Sequence, residues 1–452
     1  MISNDIAEIL GRWAAQLSLA AVPPAAQHEA LRCITDVVGV TLAGSTTKLA
    51  GCVRDHVARH HAAGDCRVIG SATTTSALGA SLANGAAAHV LDFDDTCYAG
   101  IAHGSAAIWP AVLAAGEAGK IEGRDLVAAF IAGSEVEYAI GRALGDGVYR
   151  WWTTAALGVI GAAAGAARAL QLDAQASAHA IRIAASHSGG LRAVFGTTAK
   201  PYLCGRAAQA GLDAALAARA GIAGPAGVFE TSGGFFALFG DGGVGADDFA
   251  TLGERYSLVD PGIAFKLYPV CSAAQAAIEA TVRLLAEHGV DGDQVERVGC
   301  EVTPFVQSCL THTRPRAVAE AQFSLQFAIG CILAYGRLDL DCLTAERLAD
   351  PRLEQAMAKV GMTRSAQLFR AGEASRDHLE AAIVTLQLVD GRTVQMHVPA
   401  ATGMPSNPVS DARLREKFRA CATRALAGSA TEALLQRMAS LPELATVTLL
   451  FG

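Results

Sequence analysis

The chain has 452 residues, enough for two domains, with 52 % hydrophobic and only 17 % charged residues and a net charge of −7. That charge gives no support for nucleic-acid binding as the main task. The small-residue run 155–167 is too short to span a bilayer, and Asp5 and Glu8 stand where an export leader would be cationic. A cytoplasmic protein with no nucleic-acid or membrane partner is therefore expected. Its eleven cysteines show no C-x-x-C or zinc-type spacing and are expected to be reduced and mostly buried.

In chain order, Ser3-Asn-Asp5 offers a cap to a helix that presents Ile6, Leu10, Trp13 and Leu17 on one face. Alanine-rich helical patterns follow over 30–42, 75–91, 105–118, 123–144 and 153–170. Segment 206–220 is a near-ideal helix by propensity and stops at Gly221. The character changes near residue 260. Segment 294–302 alternates with period two, and 382–389 and 392–398 flank Asp390-Gly391, the signature of a hairpin with a tight turn. Helices are predicted at 271–288 and 319–335 between these strands, and at 411–427 and 431–440 after them. The predicted fold is mainly α. Residues 1–262 and 401–452 are expected to form a large all-helical domain, with 263–400 as an inserted, smaller α+β lid domain.

Residues 89–96, His-Val-Leu-Asp-Phe-Asp-Asp-Thr, and then His103, put three carboxylates, a hydroxyl and two imidazoles into fifteen residues of a charge-poor chain. Such a cluster behind an apolar lead-in points to chemistry rather than solubility. Asp92, Asp94 and Thr96 also fit the D-x-D-x-T pattern of haloacid-dehalogenase-type phosphatases, with Asp247-Asp248 as a possible acidic pair. That chemistry needs a parallel-sheet strand before the first aspartate, and the surroundings read as helical.

Together with the rest of the chain, the segment resembles the MmgE/PrpD family. The resemblance is carried in order by 89–96 with His103, then 158–168, 200–211, 221–225, 233–236, Lys266-Leu-Tyr-Pro-Val-Cys271 and 319–324. It implies a helical domain with a smaller lid domain, a cleft between them, and a homodimer. It also implies cofactor-independent, metal-free proton abstraction beside a carboxylate of a small anionic di- or tricarboxylate. Carried over by position, it puts Asp92, Thr96, His103, Lys200 and Lys266 in the cleft. The selection makes chemical sense. A carbon acid beside a carboxylate is weak, so it needs a base and fixed positive charge where charge develops. Imidazole titrates near neutrality, and Lys200 and Lys266 are two of only six lysines.

Each residue also has a plain structural alternative. His103 could cap the next helix, Thr96 could be a local cap, and Lys200 an exposed lysine at a helix entry. Lys266 could pair across the domain junction, and His89 could be a satisfied core histidine. Three departures from the family pattern shape the expected reaction. Trp152 stands where many members carry a histidine, Cys271 where decarboxylase-like members carry another, and Gly104 follows His103 where proline is common. The lost imidazoles weigh against dehydration and decarboxylation and favour epimerisation or isomerisation of the iminodisuccinate-epimerase kind. In that scheme His103, Lys200, Tyr149 and Asp92 are catalytic, and Lys266, Thr96, Arg150 and Cys271 bind substrate. The alternatives are a dehydratase of the 2-methylcitrate type, a cis-aconitate-type decarboxylase, and a non-catalytic metabolite-binding relative.

Overall fold

Small side chains set the architecture of the N-terminal part. A computed structural model of the protein describes residues 5–365, 367–368 and 378–452. Among the described residues, nine helices are packed there: α1 (Ile6–Gln16), α2 (Pro24–Ser45), α3 (Lys48–His60), α4 (Ala77–His89), α5 (Gly104–Gly119), α6 (Gly123–Ala143), α7 (Thr153–Ala169), α8 (Ala174–Ser186) and α9 (Ala199–Arg219). Asp5 caps α1 by accepting from the Glu8 amide at 3.1 Å; Ser3 and Asn4 lie outside the described residues. Glycines let helix backbones touch where α4, α6, α7 and α9 cross. A Cβ on Gly205 would lie 2.4 Å from the Leu82 carbonyl oxygen, and one on Gly211 2.6 Å from that of Val159. Alanine at an open helical glycine adds about 1 kcal/mol of stability. Gly205→Ala is instead expected to cost roughly 1–3 kcal/mol, because a backbone oxygen cannot step aside as a side chain can. The urea midpoint of the variant checks this.

After the short helix α10 (Phe235–Phe239), a second core gathers around a sheet. β1 (Cys66–Arg67) pairs with β2 (Thr74–Thr75), and β3 (Thr96–Cys97) pairs antiparallel with β4 (Ile263–Ala264). The main sheet contains β5 (Val295–Val302), β6 (Val360–Arg364), β7 (Ala382–Leu388) and β8 (Thr393–Val398), in the order β6-β5-β7-β8. β5 runs parallel to β6 and antiparallel to β7. Gly391 takes φ +88° in the β7–β8 turn, which is the service the Asp-Gly pair was expected to provide. Val384, Leu386 and Leu388 of β7 face the core with α11 (Gln275–His288) and α14 (Leu325–Tyr335). The connecting pieces are α12 (Pro304–Cys309), α13 (Val318–Ala321), α15 (Ala345–Leu348) and α16 (Pro351–Ala358).

The chain then returns to the helical body. α17 (Asp411–Ala422) and α18 (Gly428–Ala439) belong to its core through Leu414, Phe418, Leu434 and Met438. The fold is mainly α, and no helix among the described residues is long and apolar enough to cross a membrane.

Several elements differ from the sequence expectation. α9 starts at Ala199, well before residue 206, because Pro201 in the first helical turn gives up an amide that needs no partner there. The expected helix over 319–335 is broken: Ser324 leaves helical geometry and caps α14 by accepting from the Phe327 amide at 3.1 Å. β6 was not anticipated; its five residues make a parallel pairing to β5 that local alternation does not signal.

Candidate active site

The loop after α4 owes its shape to one residue. Asp92 sits at φ +48°, in the left-handed region that aspartate and asparagine tolerate better than other non-glycine residues. This turns its carboxylate into the molecule, where it is 2 % exposed. Lys200 from the first turn of α9 binds Oδ2 at 2.7 Å. Lys266 binds Oδ1 and donates to the Asp92 carbonyl at 2.8 Å. Pairing of β3 with β4 brings Lys266, two residues past β4, to this point. One carboxylate thus joins two ammonium groups from distant stretches. Burial pushes the Asp92 carboxyl up, but Lys200 and Lys266 outweigh it and hold it well below the usual aspartate range.

Behind the aspartate runs a hydrogen-bond chain. Lys200 donates to His89 Nε2 at 2.7 Å, which leaves the imidazole proton on Nδ1, and Nδ1 donates to Asp94 at 2.7 Å. Trp152 stacks on His89 with ring centroids 5.8 Å apart. The Lys200 ammonium also lies over the rings of Phe323, Phe195 and Trp152, at 5.1, 5.6 and 5.7 Å. His89 is therefore both a satisfied buried histidine and a link in the site.

His103 is oriented by Asp94 and Asp95, not by Asp92. Its Nδ1 lies 2.8 Å from the Asp95 carbonyl, 3.2 Å from Thr96 Oγ1 and 3.4 Å from Asp94. With three acceptors around Nδ1 the proton stays there, and Nε2 carries the free lone pair. Burial first, and then the Lys266 charge, push the His103 pKa well below 6.5, so the imidazole is a neutral base at pH 7. The Thr154 hydroxyl accepts from the His103 amide at 3.2 Å, and Thr153 donates to the Ile101 carbonyl, which ties this turn to α7. Asp95 is buried and accepts from Ser105; burial, then Asp36, raise it to about 7.

His89, Asp94 and His103 bring three potential ligand atoms within 4.8 Å of one another. The proton positions above make this a hydrogen-bond chain, and a divalent ion there would sit beside two lysine ammonium groups. The phosphatase reading fails on geometry: a helix, not a parallel strand, leads into Asp92, and Asp247 and Asp248 are exposed in a helical turn.

A partly open cavity of about 60 Å³ lies in front of these groups. Asp92, Thr96, His103, Lys200 and Cys271 line it, as do Trp152, Arg192, Cys309 and Phe323. Lys266 sits behind Asp92. The structure does not bring Tyr149 or Arg150 to the cavity wall. The Tyr149 ring packs 6.0 Å from Phe305, and Arg150 is exposed and pairs with Asp241 at 2.9 Å, so each is used elsewhere. Sequence reasoning missed Arg192, which reaches the cavity held by the Tyr149 carbonyl at 2.6 Å and Ser308 Oγ at 3.1 Å. Its place eight residues before Lys200 was the available signal. It also missed Lys417 of α17, which is buried against Asp36 at 2.8 Å and donates to the Phe93 carbonyl at 2.7 Å. Nothing local marks a lysine from the far end of the chain as a brace for the Asp92 loop.

The chain matches two family models, MmgE/PrpD N-terminal domain over residues 8–245 and MmgE/PrpD C-terminal domain over residues 268–441. Among curated proteins it is similar to the cis-aconitate decarboxylase of Homo sapiens, 27 % identical over 436 residues, covering 91 % of this chain and 87 % of the relative. It is 28 % identical to the Mus musculus protein of that name over 379 residues, covering 81 % and 76 %. The Aspergillus terreus cis-aconitate decarboxylase is 26 % identical over 452 residues, covering 93 % and 89 %. With both family models matched along its length, the chain belongs to the MmgE/PrpD family.

Proposed function

We propose that this protein is a lyase that decarboxylates a small unsaturated tricarboxylate of the cis-aconitate kind, with His103 carrying the proton. The observation that supports it most is the pairing, in one cavity, of an imidazole with a free Nε2 and the cations Lys200 and Arg192. The likeness to cis-aconitate decarboxylases adds the reaction type and moves the reading away from epimerisation. In such an acid the C–CO2 electron pair can form a new double bond while the old one takes a proton at its far carbon. One proton is consumed and one CO2 leaves. Lys200 and Arg192 hold the remaining carboxylates. The Thr96 hydroxyl, which accepts from His103, still has its own proton to donate. An arriving trianion offsets the Lys266 charge and favours the imidazolium, so binding loads the donor.

A second reading is epimerisation beside a carboxylate. Trp152 and Cys271 favour it, because the indole cannot exchange protons at neutral pH and a thiol can. Proton NMR in heavy water over citrate, aconitate, malate and aspartate-derived acids separates the two. The expected result is CO2 release from cis-aconitate with one deuterium in the product. Exchange at an α-carbon with every carboxylate retained would establish the epimerase instead. Thermal stabilisation by a panel acid without turnover would make the protein a binding relative.

A further inference from the structure

We propose that Cys271 and Cys309 form an oxidisable thiol pair in the wall of the cavity, closed by hydrogen peroxide into an intramolecular disulfide. The two residues come from different elements. Cys271 precedes α11, with its amide on the Gln322 carbonyl at 3.0 Å, and Cys309 ends α12. Both line the same cavity wall, and the two thiols are close enough to influence each other's ionisation. They are 8 % and 5 % exposed, so an oxidant must arrive through the cavity, and peroxide is little larger than water. The Arg192 guanidinium lies 3.8 Å from Cys309 Sγ and Ser308 Oγ lies 4.0 Å from it. The neighbouring Cys271 thiol, then the Arg192 charge, hold the Cys309 thiol below its ordinary range against the effect of burial, while Cys271 is pushed up. With the Arg192 guanidinium beside it, Cys309 is the nucleophile and Cys271 the resolving thiol.

The Cys309 thiolate attacks one peroxide oxygen. An S–O bond forms, the O–O bond breaks, and the departing hydroxide takes a proton to become water. Cys271, deprotonated in turn, attacks the Cys309 sulfur of the resulting sulfenic acid. The S–S bond forms and the S–O bond breaks, releasing a second water. Two thiols are oxidised, one peroxide is reduced, and two waters leave. The disulfide removes two thiol protons from the cavity and takes the Cys309 sulfur away from Arg192.

The test is independent of which acid the enzyme acts on. The reduced full-length protein is treated with hydrogen peroxide, and read by intact mass and non-reducing peptide mapping. Loss of two hydrogen masses with a Cys271–Cys309 cross-link, reversed by dithiothreitol, is expected. In Cys309→Ser the cross-link is absent and Cys271 stays reduced at the same dose. Cys331 and Cys342, two further buried thiols that influence each other's ionisation and do not line the cavity, serve as the internal comparison. A cross-link at that second pair alone, oxygen addition at Cys309 without a cross-link, or no change of mass overturns the proposal.

Discussion

His103→Gln is expected to lower turnover by about 100- to 10,000-fold while leaving the fold intact, the range for removal of a positioned acid or base. Glutamine keeps a donor within reach of the Asp95 carbonyl and Thr96, so the loop retains its inner contacts, but it has no lone pair of imidazole basicity. Single-turnover kinetics on whichever panel acid reacts, beside a circular-dichroism melt, gives the answer. Near-native turnover with a native melt removes His103 from the scheme. The wild-type pH profile adds a sign. His103 in the free protein titrates well below 6.5 and the reaction consumes the proton it carries, so kcat/KM follows the imidazolium and falls as pH rises through neutrality. In folding terms, a lowered pKa means that the unfolded chain binds the proton first. The neutral buried ring therefore costs nothing above pH 6.5, and it costs stability as pH falls from there towards the folded pKa.

Asp92→Asn carries the largest expected loss of stability, about 3–5 kcal/mol, the cost of leaving buried charge without its partner. Asparagine tolerates φ +48° and has nearly the same shape, so the change isolates the charge. Two ammonium groups, 4 % and 2 % exposed at the side chain, then face each other without the shared carboxylate. Urea unfolding at several pH values tests this with its sign. In the wild type, Asp92 is depressed in the fold, so its contribution is full above the unfolded value of 3.8 and is lost as pH falls through the folded pKa. The variant lacks that acid-dependent part. Lys266 behaves in the opposite sense. Burial lowers its pKa, but Asp92 and Asp94 together raise it. With Asp92 neutral, burial wins, and the variant should recover stability as the pH approaches 10.5 and the lysine sheds its proton. A variant as stable as wild type at pH 7 would show that Asp92 is not the electrostatic centre of the site.

Much of the secondary structure was legible because it is written in local pattern. The helices predicted at 105–118, 123–144 and 153–170 match α5, α6 and α7 to within a residue or two, since each is rich in small and apolar residues and is bounded by turn formers. The β7–β8 hairpin follows from alternation on either side of Asp390-Gly391. α3 and α8 were not singled out, and β6 could not be, because five residues with only Val360 buried acquire strand geometry only from their partner β5.

At the site, the residue types and their neighbourhood in the chain were determined by the sequence alone: the His89–Thr96 cluster, His103, and a scarcity of lysine that made Lys200 and Lys266 conspicuous. Which group serves which was decided by the tertiary structure. Asp92 neutralises lysines rather than orienting His103, Asp94 and the Asp95 carbonyl fix the imidazole, Arg192 and Cys309 reach the cavity, and Arg150 turns to Asp241 in solvent. The physical reason is range. Helix and hairpin preferences act over a few residues along the chain. A carboxylate's partner depends on which charges burial forces together, and here those charges come from positions 92, 200 and 266.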